Sequence, residues 1–196
     1  MNMGVNVIRK IGYTVLPAVL LAGSVFAASP ARQSSAITAD ALTWGFQKEA
    51  SGLLGEVQVL SGKLRLEADK LESFPRSKLS WESHANQLNL VREQINQIGD
   101  RLERLQEIRH VTSPWQRQVI DRVVPVAVEL AARTEAAIGH LNENKGHLFA
   151  PVYVDHLTTL SDQAGEMKES VNTFLEFAET QQKLDQLQEK IRDLQS

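Results

Sequence analysis

The sequence predicts an all-α protein, an antiparallel up-down four-helix bundle with coiled-coil-like packing and an extended C-terminal helix. Apolar residues recur at alternating steps of three and four, the spacing that places them on one face of a helix. Four such stretches follow one another with short connections, which favours antiparallel neighbours. No stretch alternates apolar and polar residues with the period of two that strands show.

The first 27 residues have the three parts of a secretory signal peptide. A basic start ends in Arg9 and Lys10, an apolar run follows, and Val25 and Ala27 precede the cleavage site as its small or β-branched residues. The apolar run is short for a membrane span, which needs about 20 apolar residues, and Pro17 interrupts it. We therefore expect an exported protein, periplasmic or extracellular, without stable membrane insertion after cleavage. The alternative is a membrane tether formed by an uncleaved signal anchor.

Composition excludes several classes of function for the remaining chain. Only two of the 21 basic residues and none of the 24 acidic residues precede Ala28, so the rest carries a net charge of −5. This acidic balance argues against a nucleic-acid partner, which needs a clustered basic face. The chain has no cysteine, which excludes disulfides, iron–sulfur clusters and a thiol nucleophile. No cofactor is expected.

After the predicted signal peptide, residues 28–37 are expected to form a flexible linker and residues 38–196 one bundle domain. The helices are expected over residues 38–74, 78–110, 114–144 and 151–194. The first helix has its apolar stripe at Ala50, Leu53, Val57, Leu60, Leu64 and Leu71. Four glycines lower its intrinsic helicity by about 1 kcal/mol each relative to alanine. This helix therefore depends on packing, and its small residues would allow a neighbouring helix to approach closely.

Local signals mark the other helices. In the second helix, His84 occupies one of the apolar positions. The third begins at Ser113, whose spacing to Gln116 is that of a capping box, and Pro125 is expected to kink it. Pro151 begins the fourth helix.

The fourth helix is too long for the bundle, at about 65 Å against about 46 Å for the third. Its apolar spacing changes phase after Phe174, a three-residue stammer. It resumes in residues that we call the C-terminal stripe: Phe177, Leu184, Leu187, Ile191 and Leu194. This end of the helix either overhangs the bundle or packs on the start of the first helix. The last four residues of the stripe are predicted to bind a protein partner or a second copy of the chain.

Four of the five histidines are expected at one end of an up-down bundle: His84, His140, His147 and His156. Imidazole is a ligand for zinc, copper, nickel or iron, so these residues are the candidate metal ligands. The spacings match no known metal motif. A histidine at an apolar helix position is more often a core residue that bonds to the backbone.

No nucleophile elbow or phosphate-binding glycine loop occurs, and the protein is not expected to be an enzyme. The sequence therefore favours an exported, non-enzymatic helical bundle that acts through protein–protein contacts. The alternative is a bundle that binds a metal or small ligand through the four histidines.

Overall fold

A computed structural model describes the backbone of residues 32–195 and the side chains from Trp44 to Gln195. It contains four α-helices: α1 (Arg32–Ser73), α2 (Trp81–Ile108), α3 (Pro114–Glu143) and α4 (Pro151–Gln195). Short 3-10 turns follow α1 (Phe74–Ser77) and α2 (Arg109–Val111). No strand occurs among the described residues, so the predicted all-α class is confirmed. The predicted signal peptide, residues 1–27, lies outside them.

Two helix starts differ from the prediction. α1 begins at Arg32, inside the segment predicted as a flexible linker, whose first four residues lie outside the described part. Neither proline nor glycine occurs between Pro30 and Gly45, so no helix breaker interrupts that stretch. α2 begins at Trp81 rather than at residue 78, because Lys78 has a left-handed backbone with φ of 50°.

The apolar faces of the four helices form one core. α1 and α3 each contact both α2 and α4. The largest fully buried side chains are Leu54, Leu64, Leu71, Leu88, Ile98, Leu105, Ile120, Leu130, Leu141, Tyr153, Leu157 and Leu160. Leu54 takes the core position that the spacing assigned to Leu53, which is half-buried against the core. Both leucines fit the apolar pattern, and packing between the helices selects one of them.

Polar side chains join the helices at the margins of the core. The pairs between α1 and α2 are Glu49–Arg104 (2.7 Å), Glu56–Arg101 (2.9 Å) and Glu67–Gln87 (2.6 Å). The pairs between α1 and α4 include Gln58–Asn172 (2.9 Å), Asp69–Ser161 (2.6 Å) and Glu72–Thr158 (3.5 Å). Partly exposed ion pairs contribute only about 0–1 kcal/mol each. Burial of the apolar core therefore dominates the stability of the bundle.

The start of α3 has the predicted capping box. The Ser113 hydroxyl accepts from the Gln116 N–H at 3.4 Å, and the Gln116 side chain accepts from the Ser113 N–H at 2.9 Å. The buried Gln116 amide also donates to the Gln47 carbonyl on α1 at 2.8 Å. Its two roles fix the start of α3 against α1. α3 then continues through Pro125 to Glu143.

The glycines of α1 do not serve a close helix contact within the described chain. A Cβ built at Gly52, Gly55 or Gly62 meets nothing within 4 Å. The expected close approach of a neighbouring helix at these positions is therefore wrong.

Within residues 32–195, no helix combines the length and apolar character that a membrane span requires.

Candidate functional site

A cluster of one tyrosine and three histidine side chains forms where α2 and α4 begin and α3 ends. We call it the histidine–tyrosine cluster, and it consists of His84, His140, Tyr153 and His156. His84 and Tyr153 are both fully buried, and the His84 Nδ1 lies 3.0 Å from the Tyr153 hydroxyl. A hydroxyl both donates and accepts, so it serves either neutral tautomer of the imidazole. This bond joins the first turn of α2 to the first turn of α4.

Aromatic contacts enclose this hydrogen bond. The Phe74 ring meets His84 edge-on, with centroids 5.3 Å apart. On the other side, His140 stacks on Tyr153 with centroids 5.4 Å apart and an interplanar angle of 14°. Phe74 follows α1 and His140 lies in the last turn of α3, so the cluster and the Phe74 ring packed against it together draw on the ends of all four helices. Such aromatic pairs each contribute about 0.5–1.5 kcal/mol beyond their burial.

Local structure explains why these side chains meet. Ser80 caps α2, accepting from the Ser83 N–H at 3.4 Å, and this sets the first turn that carries His84. The connection between α3 and α4 is held to the same turn, since the Lys145 ammonium lies 4.0 Å from the centre of the Trp81 ring. The connection thus brings Tyr153 back against α2.

The environment disfavours charge on two of the imidazoles, those of His84 and His156. Burial lowers the pKa of His84 below its ordinary value. Burial also lowers the pKa of His156, with Arg133 and His140 adding to the effect and Asp155 opposing it. Burial raises the pKa of the Tyr153 hydroxyl. Burial therefore favours the neutral forms of His84 and His156 and a protonated Tyr153.

Several ring nitrogens in the cluster are buried without a hydrogen bond to the described residues. They are His84 Nε2, His140 Nε2 and His156 Nδ1. An unpaired buried polar atom costs about 1–3 kcal/mol. Protonating the buried nitrogen of His84 or of His156 in place would add an uncompensated buried charge, which is more costly still.

The structure brings together three of the four histidines predicted as metal ligands. His147 is exposed in the connection between α3 and α4. His110, the fifth histidine, lies in the turn after α2, with its Nδ1 3.1 Å from the Glu107 carbonyl. Among residues whose side chains are described, no group of three histidine, cysteine or acidic side chains is arranged to hold a metal ion. The geometry therefore gives the predicted metal site no support.

Sequence reasoning did not identify Tyr153 as the centre of this cluster. A signal was present, because Tyr153 extends the apolar spacing of α4 backwards by four residues from Leu157. Its bond to His84 joins residues 69 positions apart, and local spacing carries no information about such a contact.

The C-terminal stripe is the second candidate site. From Glu179 to Gln195 every residue of α4 is exposed. The exposed fractions in the stripe are Phe177 50%, Leu184 47%, Leu187 57%, Ile191 54% and Leu194 87%. The buried residues of α4 end at Val171, with Phe174 and Leu175 packed against the margin of the core. The last turns of α4 thus present an apolar stripe to solvent.

Comparisons with protein-family models, with curated proteins and with solved structures each found no match to this chain.

Proposed function

We propose that this chain is an exported, non-enzymatic helical protein that acts through protein–protein contacts made by the C-terminal stripe. The observation that carries the proposal is the exposure of the stripe, in which every apolar side chain is at least 47% exposed. Each Å² of apolar surface removed from water contributes about 25 cal/mol. A partner helix would bury this surface, and contiguous exposed apolar patches are typical of interaction sites.

The apolar spacing changes phase along α4, and this change supports a partner outside the chain's own bundle. Its core residues follow a heptad through Leu157, Leu160, Ala164, Met167 and Val171. Continued without change, that heptad reaches Phe174, which packs against the core, and then Ala178, Gln181, Asp185, Gln188 and Arg192. These positions are mainly polar, whereas the stripe lies one residue earlier, about 100° around the helix. The apolar face has therefore turned away from the direction of the core.

The proposal includes an up-down order of the four helices. In its support, the α1 residues Glu49, Glu56 and Glu67 rise in number as their α2 partners fall through Arg104, Arg101 and Gln87. The α4 partners of α1 also fall, from Asn172 to Thr158. Opposite trends of this kind are those of antiparallel neighbours.

We place the site of action in the cell envelope or outside the cell, on the strength of the first 27 residues. The mass of the protein isolated from its native compartment tests this part. A chain that begins at Ala28 supports export with cleavage. Retention of the first 27 residues would leave the membrane-tethered alternative.

Site-specific photo-crosslinking in the producing cells tests the contact. A photoreactive residue replaces Leu187 in the stripe, and a matched variant carries it at Gln182 on the opposite face of the same helix. The expected result is a discrete adduct at position 187 that position 182 does not give. The adduct should also disappear when Leu184→Glu is added, because that charge would have to be buried at the contact. Equal adducts at both positions, or none, would refute the proposed function.

A further inference from the structure

We infer that the partner of the C-terminal stripe is a second copy of the same helix, aligned in parallel and in register. This inference rests on the proposed function and names its partner. Three features of the stripe indicate this partner: its width, its apolar residues and the charges beside it.

The width of the stripe fits one partner helix. Its apolar residues occupy only the two core positions of a heptad: Phe177, Leu184 and Ile191 at the first, and Leu187 and Leu194 at the second. Thr180 fills the remaining second position. A stripe limited to these two positions is the narrow face of a coiled coil, whereas a helix in a bundle presents a wider one. The occupant is therefore a single helix with the same period, and a second α4 provides one.

At one of its three first core positions, Ile191, the stripe has the combination that favours a two-stranded parallel pair; the other two positions hold Phe177 and Leu184. Isoleucine at the first core position with leucine at the second is the combination that parallel dimers prefer. Ile191 lies between Leu187 and Leu194 in this arrangement. In-register pairing of two copies then gives six layers, from Phe177 to Leu194, in which each residue meets its own counterpart.

The charges that flank the stripe select the parallel orientation. One flank carries Lys183 and Lys190, and the other carries Gln181, Gln188 and Gln195; all are exposed. In a parallel pair each lysine lies beside a glutamine of the second copy, so no like charges meet. In an antiparallel pair with full overlap, Lys183 would face Lys190 of the second copy, and the contact would occur twice. Like charges at flanking positions oppose pairing.

The oligomeric state of the full chain tests the identity of the partner. Sedimentation over a range of concentrations should show a monomer–dimer equilibrium. Leu187→Glu should weaken it by roughly tenfold or more, because its carboxylate would be buried in the pair. The matched control Gln182→Glu adds the same charge on the opposite face and should change the dissociation constant by less than about threefold.

Disulfide trapping tests the orientation, since the natural chain contains no cysteine. In the parallel pair, Thr180→Cys brings the two introduced thiols face to face. In the antiparallel pair, position 180 lies across from Ile191, and the two thiols are separated by roughly 16 Å of helix rise. That exceeds the reach of a disulfide. With a mild oxidant, Thr180→Cys should cross-link roughly tenfold faster than the control Gln182→Cys.

The outcomes separate the inference from the proposed function. A monomer at every concentration, together with an adduct to a different protein at position 187, overturns the second copy and leaves the proposed function standing. A dimer that Leu187→Glu dissociates but Thr180→Cys does not trap overturns the parallel alignment. The absence of both a dimer and a position-specific adduct overturns the inference and the proposed function together.

Discussion

Replacing His84 with glutamine should reduce the loss of folding stability at mildly acidic pH. In the folded chain the imidazole is fully buried and its pKa is lowered by that burial. In the unfolded chain it regains its ordinary pKa of about 6.5. Below that pH the unfolded state binds more protons than the folded state. The free energy of unfolding should therefore be highest above pH about 6.5 and fall as the pH decreases toward the folded-state pKa.

The size of the effect follows from linkage. One such group changes the free energy of unfolding by up to about 1.4 kcal/mol per pH unit between its two pKa values. His156, whose pKa is lowered mainly by burial, adds a slope of the same sign, and a smaller one since its ring is partly exposed. His84→Gln removes the larger contribution. The amide oxygen of glutamine still accepts a hydrogen bond, so the Tyr153 hydroxyl need not lose its partner.

Urea unfolding of the wild type and variants at several pH values from about 7.5 to about 5.5 measures these slopes, above the range in which ordinary carboxylates titrate. Wild-type stability should fall across this range, and His84→Gln should show a clearly shallower fall. His110→Gln is the matched control, because that side chain is exposed, and it should retain the wild-type slope. A wild-type slope in His84→Gln, or wild-type stability that does not change with pH, would refute the assignment of His84 as the buried neutral base.

Three further tests, made with four substitutions, examine the packing by urea unfolding at neutral pH. Tyr153→Phe removes the hydroxyl that lies 3.0 Å from the buried His84 imidazole and should lower the free energy of unfolding by about 1–3 kcal/mol. Unchanged stability would contradict a hydrogen bond between the two side chains. Gly62→Ala places its methyl in open space and should raise the free energy of unfolding by up to about 1 kcal/mol. Gly165→Ala should raise it less, because the new methyl displaces the Arg65 guanidinium. Equal increases in the two variants would contradict this difference. Ser113→Ala removes the cap of α3 and should cost about 1 kcal/mol; an unchanged midpoint would show that this cap is dispensable.

The sequence predicts those features that depend on neighbouring residues. The capping box of Ser113 and Gln116 is an interaction over three positions, and the structure has it as predicted. The left-handed backbone at Lys78 was not predictable in this way, because lysine has no preference for that conformation. The start of α2 was therefore placed three residues too early. The choice of Leu54 over Leu53 in the core depends on how α1 faces its neighbours, which its own period does not fix.

The candidate site likewise has features that the sequence predicts and features that it does not. His84, His140 and His156 lie in the turns that flank helix ends, and the order of the helices is enough to predict that they approach one another. His147 lies in the connection, where no helical period sets the direction of a side chain, and it is exposed. The hydrogen bond between His84 and Tyr153 depends on the tertiary alignment of α2 with α4. The hydrophobic spacing in the sequence does not determine how α2 and α4 are aligned.

α4 connects the two candidate sites and also keeps them energetically separate. Tyr153 is in its first turn, and the C-terminal stripe begins at Phe177, roughly 36 Å further along the helix. Sites separated by more than about 10 Å without shared partners contribute additively to stability. Protonation of His84 should therefore loosen the bundle without altering the affinity that we propose for the stripe. The stripe, in turn, lies on exposed turns that gain little from the core, and short helices without packing are marginal in water. If the stripe binds a partner as we propose, its helical order and that association should be coupled, so burial of Leu187 would stabilise both at once.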